Sequence, residues 1–259
     1  MKKYQGYLID LDGTIYRGRQ PIPAAHRFVE RLQRAQIPFV FLTNNTTKTP
    51  QQVVDNLKQN HQISVSPEQI ITPSLATANY LQEQAADLST KSCFVIGQVG
   101  LQTAIFATGI RYDEQHPDYV VVGLDFDVTY HKFELATLAI KQGAQFIGTN
   151  ADTNLPNERG LVPGAGSLIS LVETATQQKA LYIGKPERTI ADYTLKVKGW
   201  QRDQVAIVGD NYNTDIKCGF NADIDTILVY TGVSTPQQVA LQKRQPSYQI
   251  QSLDEWKVE

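Results

Sequence analysis

Four aspartates occupy two short acidic segments, each directly after an apolar run. DLDGT places Asp10 and Asp12 after the run YLI, and GDNYNTD places Asp210 and Asp215 after VAIV. A turn of this kind can form an anion-binding nest from its backbone N–H groups, and Mg²⁺ often binds carboxylate and phosphate oxygens together. Taken alone, each segment also fits a turn or a helix cap. Together the carboxylates predict a magnesium-dependent phosphate site.

A cation and several small polar side chains follow two further apolar runs. Lys185 follows ALYIG, and Thr43, Asn44 and Asn45 follow PFVFL. A single lysine is usually a solvated surface group, and TNN alone fits a turn or cap equally well. One parallel sheet containing all four apolar runs would bring their polar ends to one edge, where open α/β sheets bind ligands. We therefore expect these residues to share one site.

Short apolar runs alternate with amphipathic segments along the chain. Runs that are apolar throughout are typical of parallel strands buried on both faces, and their alternation with helices predicts an α/β fold. Helices are predicted at 22–36, 50–59 and 74–86. Strands are predicted at 7–9, 38–43, 93–97, 119–123, 145–149, 180–184, 205–210 and 226–231.

Composition narrows the class of protein. The chain has 259 residues, 41% of them hydrophobic, and a net charge of -2, so it has no basic surplus that would favour nucleic acid. No apolar run approaches the roughly 20 residues of a membrane helix, and the N-terminal run is too short for a signal peptide. Cys93 and Cys218 lack the spacing of zinc or redox motifs. A cytoplasmic protein without nucleic-acid or membrane partners is expected.

The order DxD, Thr, Lys, acidic pair resembles the haloacid dehalogenase (HAD) superfamily of phosphatases. FLTNN, FIGTNADTNLPNERGLVPGAGSL and IGKP are similar to its NagD-like or 4-nitrophenylphosphatase-like group, and the similarity runs from about residue 5 to 235. It implies a Rossmann-like HAD core, with a parallel sheet flanked by helices, and a large inserted α/β cap of the C2 type. One departure is Asn213, where the family often has aspartate, which puts any fine-tuning role of that position in doubt.

The resemblance implies roles for the acidic residues. Asp10 would be the nucleophile, and Asp12 the general acid that later activates water, kept protonated in part by neighbouring carboxylates. Mg²⁺ would be held by Asp10, the backbone carbonyl of Asp12 and Asp210. Asp215 would support the metal or orient the lysine, with Thr14 beside them.

The resemblance also implies which residues bind the phosphate ester. Thr43, the N–H of Asn44 and Lys185 would hold the phosphoryl oxygens, with Asn45 next to them. In the polar loop of the inserted segment, Asn150 and Asp152 would contact the substrate, although the same loop also fits a plain polar turn.

Spacing locates the inserted domain. Thr43 follows Asp10 by 33 positions, enough for one βαβ unit, whereas Lys185 follows Thr43 by 142. About 100 residues are therefore inserted, and we predict a core of 1–80 and 182–259 with a cap at 81–181. A cap over the site would exclude water and select the leaving group.

The predicted function is hydrolysis of small phosphate monoesters, such as sugar, nucleotide or aryl phosphates, through an aspartyl phosphate. The chain lacks GxxxxGK[ST] and an early GxGxxG, which argues against a P-loop kinase and a dinucleotide enzyme. Asp12 argues against a dehalogenase. A phosphomutase of the same superfamily and a non-catalytic module that binds a phosphate ligand stay open, as does a homodimer.

Overall fold

The structure is a computed structural model that describes residues 2–157 and 159–258. The strands are β1 Gly6–Ile9, β2 Tyr16–Arg17, β3 Gln20–Pro21, β4 Phe39–Leu42, β5 Ile70–Ile71, β6 Ser92–Ile96, β7 Arg111–Tyr112, β8 Tyr119–Val122, β9 Gln145–Gly148, β10 Asn154–Asn157, β11 Gly160–Pro163, β12 Leu181–Tyr182, β13 Val205–Gly209, β14 Asp225–Val229 and β15 Tyr248–Ile250. The helices are α1 Pro23–Arg34, α2 Pro50–His61, α3 Pro73–Gln84, α4 Val99–Phe106, α5 Tyr130–Lys141, α6 Ala165–Thr176, α7 Arg188–Lys198, α8 Lys217–Asn221 and α9 Pro236–Ala240.

The described residues form two compact units. The first comprises Met1–Thr43, Pro50–Ile71 and Lys185–Glu259, and the second comprises Asn44–Thr49 and Thr72–Gly184. Residues 44–49 and 72–80, which we predicted to belong to the core, thus lie in the second unit. The chain passes between the units next to Thr43 and next to Lys185, two of the predicted site residues.

The first unit is built on a parallel sheet with the order β15-β14-β13-β1-β4-β5 among the described strands. Every residue of β1, β4 and β13 is buried, as expected for apolar strands covered on both faces. On one face, Phe28 of α1 packs edge-on against Tyr7 of β1, whose hydroxyl accepts a hydrogen bond from the indole N–H of Trp256. The core therefore joins the first strand to the last residues of the chain.

A short antiparallel hairpin, β2–β3, follows DLDGT in the first unit. The ring of Tyr16 in this hairpin stacks on the ring of His61 at the end of α2, with centroids 4.3 Å apart. His61 is 4% exposed, and neither ring nitrogen has a hydrogen-bond partner in the described part of the chain. Burial lowers the pKa of His61 below its ordinary value, so the ring is favoured in its neutral form.

The second unit has its own parallel sheet, with the order β12-β9-β8-β6-β7 in the described residues. Val120 and Val122 of β8 lie in a core with Ala136 and Ile140 of α5 and Ile169 of α6. The hairpin β10–β11 belongs to the same unit. The predicted fold class, parallel sheets flanked by helices with a second α/β domain inserted, is confirmed.

One predicted pairing is wrong. The run before GKP does not join the core sheet, because Leu181 and Tyr182 of β12 pair with Ile147 and Gly148 of β9 in the second unit. Three of the four apolar runs, rather than all four, meet at the edge of the core sheet. The boundary predicted at 181/182 cuts through this strand, whereas the second unit extends to Gly184.

Among the described residues, no helix is both long and apolar enough to cross a membrane.

Candidate active site

The carboxyl ends of the neighbouring strands β1 and β13 place two carboxylates together. Asp10 and Asp210 follow these strands directly, and the Asp10 N–H bonds the carbonyl of Val208 at 2.8 Å, which continues the ladder between the strands. Gly13 turns the chain at φ 90°, and a Cβ there would lie 2.5 Å from the Asp210 carboxylate. Only glycine permits both the left-handed turn and this close approach.

Lys185 supplies a cation to this cluster. Its ammonium lies 2.7 Å from Asp10 Oδ1, 2.7 Å from Asp215 Oδ1 and 2.8 Å from the Leu42 carbonyl, and the residue is 2% exposed. Burial alone would lower the pKa of Lys185, but the charges of the two aspartates outweigh it and raise the pKa. The lysine is therefore held fully charged beside Asp10.

Asp210 lies deeper than Asp10. One of its carboxylate oxygens accepts a hydrogen bond from the Val233 N–H, and the Thr14 hydroxyl lies 3.2 Å from both Asp210 Oδ1 and Asp10 Oδ2. Burial, followed by the charges of Asp10 and Asp215, raises the pKa of Asp210 to about 8. A buried carboxylate that favours its protonated form is stabilised when a cation takes the place of the proton.

Asp215 is presented by a π-helical turn, Tyr212–Ile216, that precedes α8. Besides Lys185, it binds the Asn211 N–H at 3.0 Å through Oδ2. Burial raises the pKa of Asp215 to about 6, even though Lys185 acts in the opposite direction. Asn213 in the same turn is exposed, and its N–H donates to the side chain of Asn211.

The donor set fits a hard divalent cation. Asp10, Asp210 and Asp215 each offer a carboxylate oxygen, and these oxygens lie within 4.8 Å of one another. An all-oxygen, multiply anionic set suits Mg²⁺ better than a soft metal. An acidic cluster that could hold a metal ion is thus present at the strand ends where the sequence predicted a site.

Two further predicted residues of the first unit stand at the edge of this cluster. The side chain of Asp12 is exposed and lies outside the three-carboxylate group, and its Oδ1 accepts from the Gly18 N–H at 3.3 Å. Thr43 follows β4 and donates its N–H to Ile71. Their predicted roles stay predictions.

The remaining predicted residues lie in the second unit and contact one another. The Asn44 side-chain amide donates to Asp152 at 2.9 Å, and the Asn150 amide donates to the Asn44 carbonyl at 2.9 Å. Asn45 accepts from the N–H and hydroxyl of Thr47, which closes a tight turn. Substrate contact by these residues stays a prediction.

Two backbone groups of the site were missed from the sequence. They are the Leu42 carbonyl that binds Lys185 and the Val233 N–H that binds Asp210. The Val233 N–H could have been suspected from the preceding Gly232, because a Cβ at that position would lie 2.0 Å from Asp210. A glycine shortly after β14, in YTG, was compatible with an ordinary turn and so was not informative alone.

Comparison with known families identifies the class. Residues 7–111 match the model of the haloacid dehalogenase-like hydrolases, and residues 182–256 match a second, HAD-hydrolase-like model. The chain belongs to the haloacid dehalogenase-like hydrolase family.

Relatives at 44% identity place the chain within the phosphatase branch of that family. An acid sugar phosphatase of Staphylococcus haemolyticus aligns over 98% of this chain and 95% of its own length. The 5'-nucleotidase YutF of Bacillus subtilis aligns over 99% and 98%, respectively. A mutant of a thermostable p-nitrophenylphosphatase from Bacillus stearothermophilus is 46% identical over the whole of both chains, with a TM-score of 0.89. The resemblance to NagD-like HAD phosphatases is confirmed.

Proposed function

We propose that this chain is a magnesium-dependent phosphatase that hydrolyses small phosphate monoesters through an aspartyl phosphate on Asp10. The observation that supports this best is the buried ion pair in which Lys185 holds Asp10 and Asp215, each at 2.7 Å, beside Asp210. A structural salt bridge does not need a third buried carboxylate, whose pKa is raised first by burial and then by its neighbours. A site that binds both a cation and a phosphoryl group needs such a carboxylate to hold the cation.

The first half-reaction transfers the phosphoryl group to the enzyme. The Asp10 carboxylate attacks phosphorus, an oxygen–phosphorus bond forms to Asp10, and the bond to the leaving oxygen breaks. Asp12, exposed at the end of the same turn, gives that oxygen a proton. Lys185 offsets the repulsion between an anionic nucleophile and an anionic ester.

The second half-reaction restores the enzyme. Asp12 takes a proton from water, the water oxygen attacks phosphorus, and the bond to Asp10 breaks to release inorganic phosphate. Asp10, Asp210 and the Asp12 carbonyl would hold Mg²⁺, which would supply positive charge to neutralise the phosphoryl oxygens. Thr14 and Asp215 fix the carboxylates and the lysine, since phosphoryl transfer depends chiefly on positioning and charge.

The relatives support a small-molecule substrate. Their names specify sugar phosphates, 5'-nucleotides and 4-nitrophenyl phosphate, and all align with this chain over nearly their full length. We propose the same substrate class here, with the second unit as the cap that selects the leaving group and with Thr43, Asn44 and Asn45 at the phosphoryl group.

The test is hydrolysis of 4-nitrophenyl phosphate, a sugar phosphate and a nucleoside 5'-monophosphate, with Mg²⁺ and with EDTA. Wild type should release phosphate only with Mg²⁺, and Asp10→Asn should abolish turnover while leaving the thermal transition intact. Asp203→Asn, an exposed aspartate of the same unit, is the matched control and should retain full activity. Activity in Asp10→Asn, or in EDTA, would contradict the mechanism.

A further inference from the structure

Asn150 has little hydrogen-bonding capacity left for a substrate. It is 4% exposed, its amide N–H₂ lies 2.9 Å from the Asn44 carbonyl, and its Oδ1 accepts from the Asp152 N–H at 3.1 Å. One further contact, to the Thr149 hydroxyl at 3.4 Å, uses the same amide nitrogen. The side chain is therefore committed to protein groups at both ends.

Asp152 also binds Asn44. Its Oδ2 accepts from the side-chain amide of Asn44 at 2.9 Å, a hydrogen bond to an ionised acceptor and hence one of the stronger kind. Asn44 is thus held at two points, its carbonyl by Asn150 and its side chain by Asp152.

The loop that carries these two residues is itself fixed to α6. The Gly166 N–H in the first turn of α6 donates to the Asp152 carbonyl at 2.9 Å, and the Ser167 hydroxyl donates to the Thr153 carbonyl at 2.7 Å. A Cβ at Gly166 would lie 2.5 Å from the Ala151 carbonyl oxygen. The helix and the loop are therefore in direct backbone contact.

The same loop is also hydrogen-bonded to Gly184, where the chain passes from the second unit back to the first. The Gly184 N–H donates to the Thr149 carbonyl at 2.8 Å, and a Cβ on Gly184 would lie 2.7 Å from the Asn44 side-chain oxygen. Asn44 and Gly184 are thus held next to each other within the second unit. In sequence, Asn44 follows Thr43 and Gly184 precedes Lys185, so both held residues adjoin residues of the proposed phosphoryl site.

We propose that Asn150 and Asp152 are positioning residues, which act by fixing Asn44 rather than by contacting the leaving group. This inference rests on the proposed function. It replaces the prediction from sequence that these two side chains bind substrate, and it makes their contribution independent of the ester. Their contribution extends to inorganic phosphate, which has no leaving group.

The experiment compares Asp152→Ala, Asp152→Asn and Asn150→Ala on three esters: 4-nitrophenyl phosphate, a hexose phosphate and a nucleoside 5'-monophosphate. Asp152→Ala and Asn150→Ala should each lower kcat/KM by about tenfold, by one common factor for all three esters, and should weaken inhibition by inorganic phosphate. Asp152→Asn keeps an acceptor for Asn44 and should restore kcat/KM to within about threefold of wild type.

Two further variants separate positioning from loop stability. Ser167→Ala removes a hydrogen bond of the same loop without touching Asn44, and it should leave kcat/KM unchanged. In an Asn44→Ala background, Asp152→Ala should cause no further loss, since its action passes through that side chain.

Three results would overturn the inference. The first is a loss of kcat/KM in Asp152→Ala or Asn150→Ala that differs by more than about fivefold between esters while inhibition by phosphate is unchanged. The second is a loss of kcat/KM equal to that of Ser167→Ala. The third is a loss from Asp152→Ala that adds to the loss from Asn44→Ala. A wild type without magnesium-dependent hydrolysis would refute the proposed function and this inference with it. An active wild type with ester-specific losses would refute the inference alone.

Discussion

Removing the ammonium of Lys185 tests the electrostatics of the site most directly. Lys185→Met keeps the apolar stem but leaves Asp10 and Asp215, both bound to that ammonium at 2.7 Å, without their cation. Breaking a buried pair costs about 3–5 kcal/mol, because the remaining charge is uncompensated. In a unit of this size, that corresponds to a melting temperature lower by about 6–20 °C.

The predicted loss depends on pH with a definite sign. Burial raises the pKa values of Asp215 and Asp210 from the ordinary 3.8 to about 6 and about 8 in the folded protein, and removal of the lysine raises that of Asp215 further. Between pH 4 and these values the folded state binds more protons than the unfolded state, so stability falls as pH rises. The penalty of Lys185→Met should therefore be larger at pH 8 than at pH 5.

The assay is urea unfolding in EDTA at both pH values, followed by tryptophan fluorescence. Trp200 and Trp256 both lie in the first unit, so the signal reports on the unit that contains the site. Lys2→Met is the control in the same unit, since its ammonium also lies 2.7 Å from an aspartate but its side chain is 44% exposed, and such pairs contribute about 0–1 kcal/mol. Equal losses for the two variants, or a larger loss at pH 5, would refute the reasoning.

Three other perturbations test neighbouring features. In EDTA, the contribution of Asp210 to stability should fall as pH rises from about 4 to about 8, because folded Asp210 keeps its proton to about pH 8. Saturating Mg²⁺ should therefore raise the melting temperature of the wild type more at pH 8 than at pH 5. Melting curves that do not change with Mg²⁺ at pH 8 would contradict the proposed magnesium site. His61→Phe should stabilise the protein by about 1 kcal/mol, since it removes two buried ring nitrogens that have no hydrogen-bond partner among the described residues. It should also weaken the loss of stability below about pH 6.5, where the histidine of the unfolded chain takes up a proton. Denaturation at pH 5 and at pH 8 measures both effects. Gly232→Ala should displace Asp210 and raise the Mg²⁺ concentration needed for half-maximal activity by about tenfold or more. Gly143→Ala strains the backbone at φ 109° but brings its Cβ within 4 Å of no described residue beyond its chain neighbours, so it can lower stability yet should leave that Mg²⁺ concentration unchanged.

The sequence was most informative where chemistry and strand pattern coincide. YLI, FVFL and VAIVG are apolar throughout, so they predict buried parallel strands, and the polar residues that follow them have to emerge at one sheet edge. Asp10 and Asp210 were predicted in this way, and the structure places both in one group of carboxylates. Lys185 also joins them, although the strand that precedes it belongs to the other sheet.

The sequence was least informative where pairing partners are distant. ALYI has the composition of a core strand, yet β12 is only two residues long and pairs with β9 of the second unit. Nothing within such a short run specifies its neighbour, since pairing depends on residues far along the chain. Likewise, Asn44 donates a hydrogen bond to Asp152 and accepts one from Asn150, and both bonds join residues more than 100 positions apart, so only the structure shows them.

The position of β1 also has a consequence for synthesis on the ribosome. This strand lies between β4 and β13, and Tyr7 within it receives the hydrogen bond from Trp256. At about 5–20 residues per second, on the order of 10–40 s pass between translation of β1 and translation of β13. During that interval the second unit, nearly continuous in sequence, can complete its own sheet, while β1 can pair with β4 but not yet with β13. The nascent chain thus leaves one edge of this buried strand unpaired until β13 has been made, which makes that edge the expected site of chaperone binding and of early aggregation.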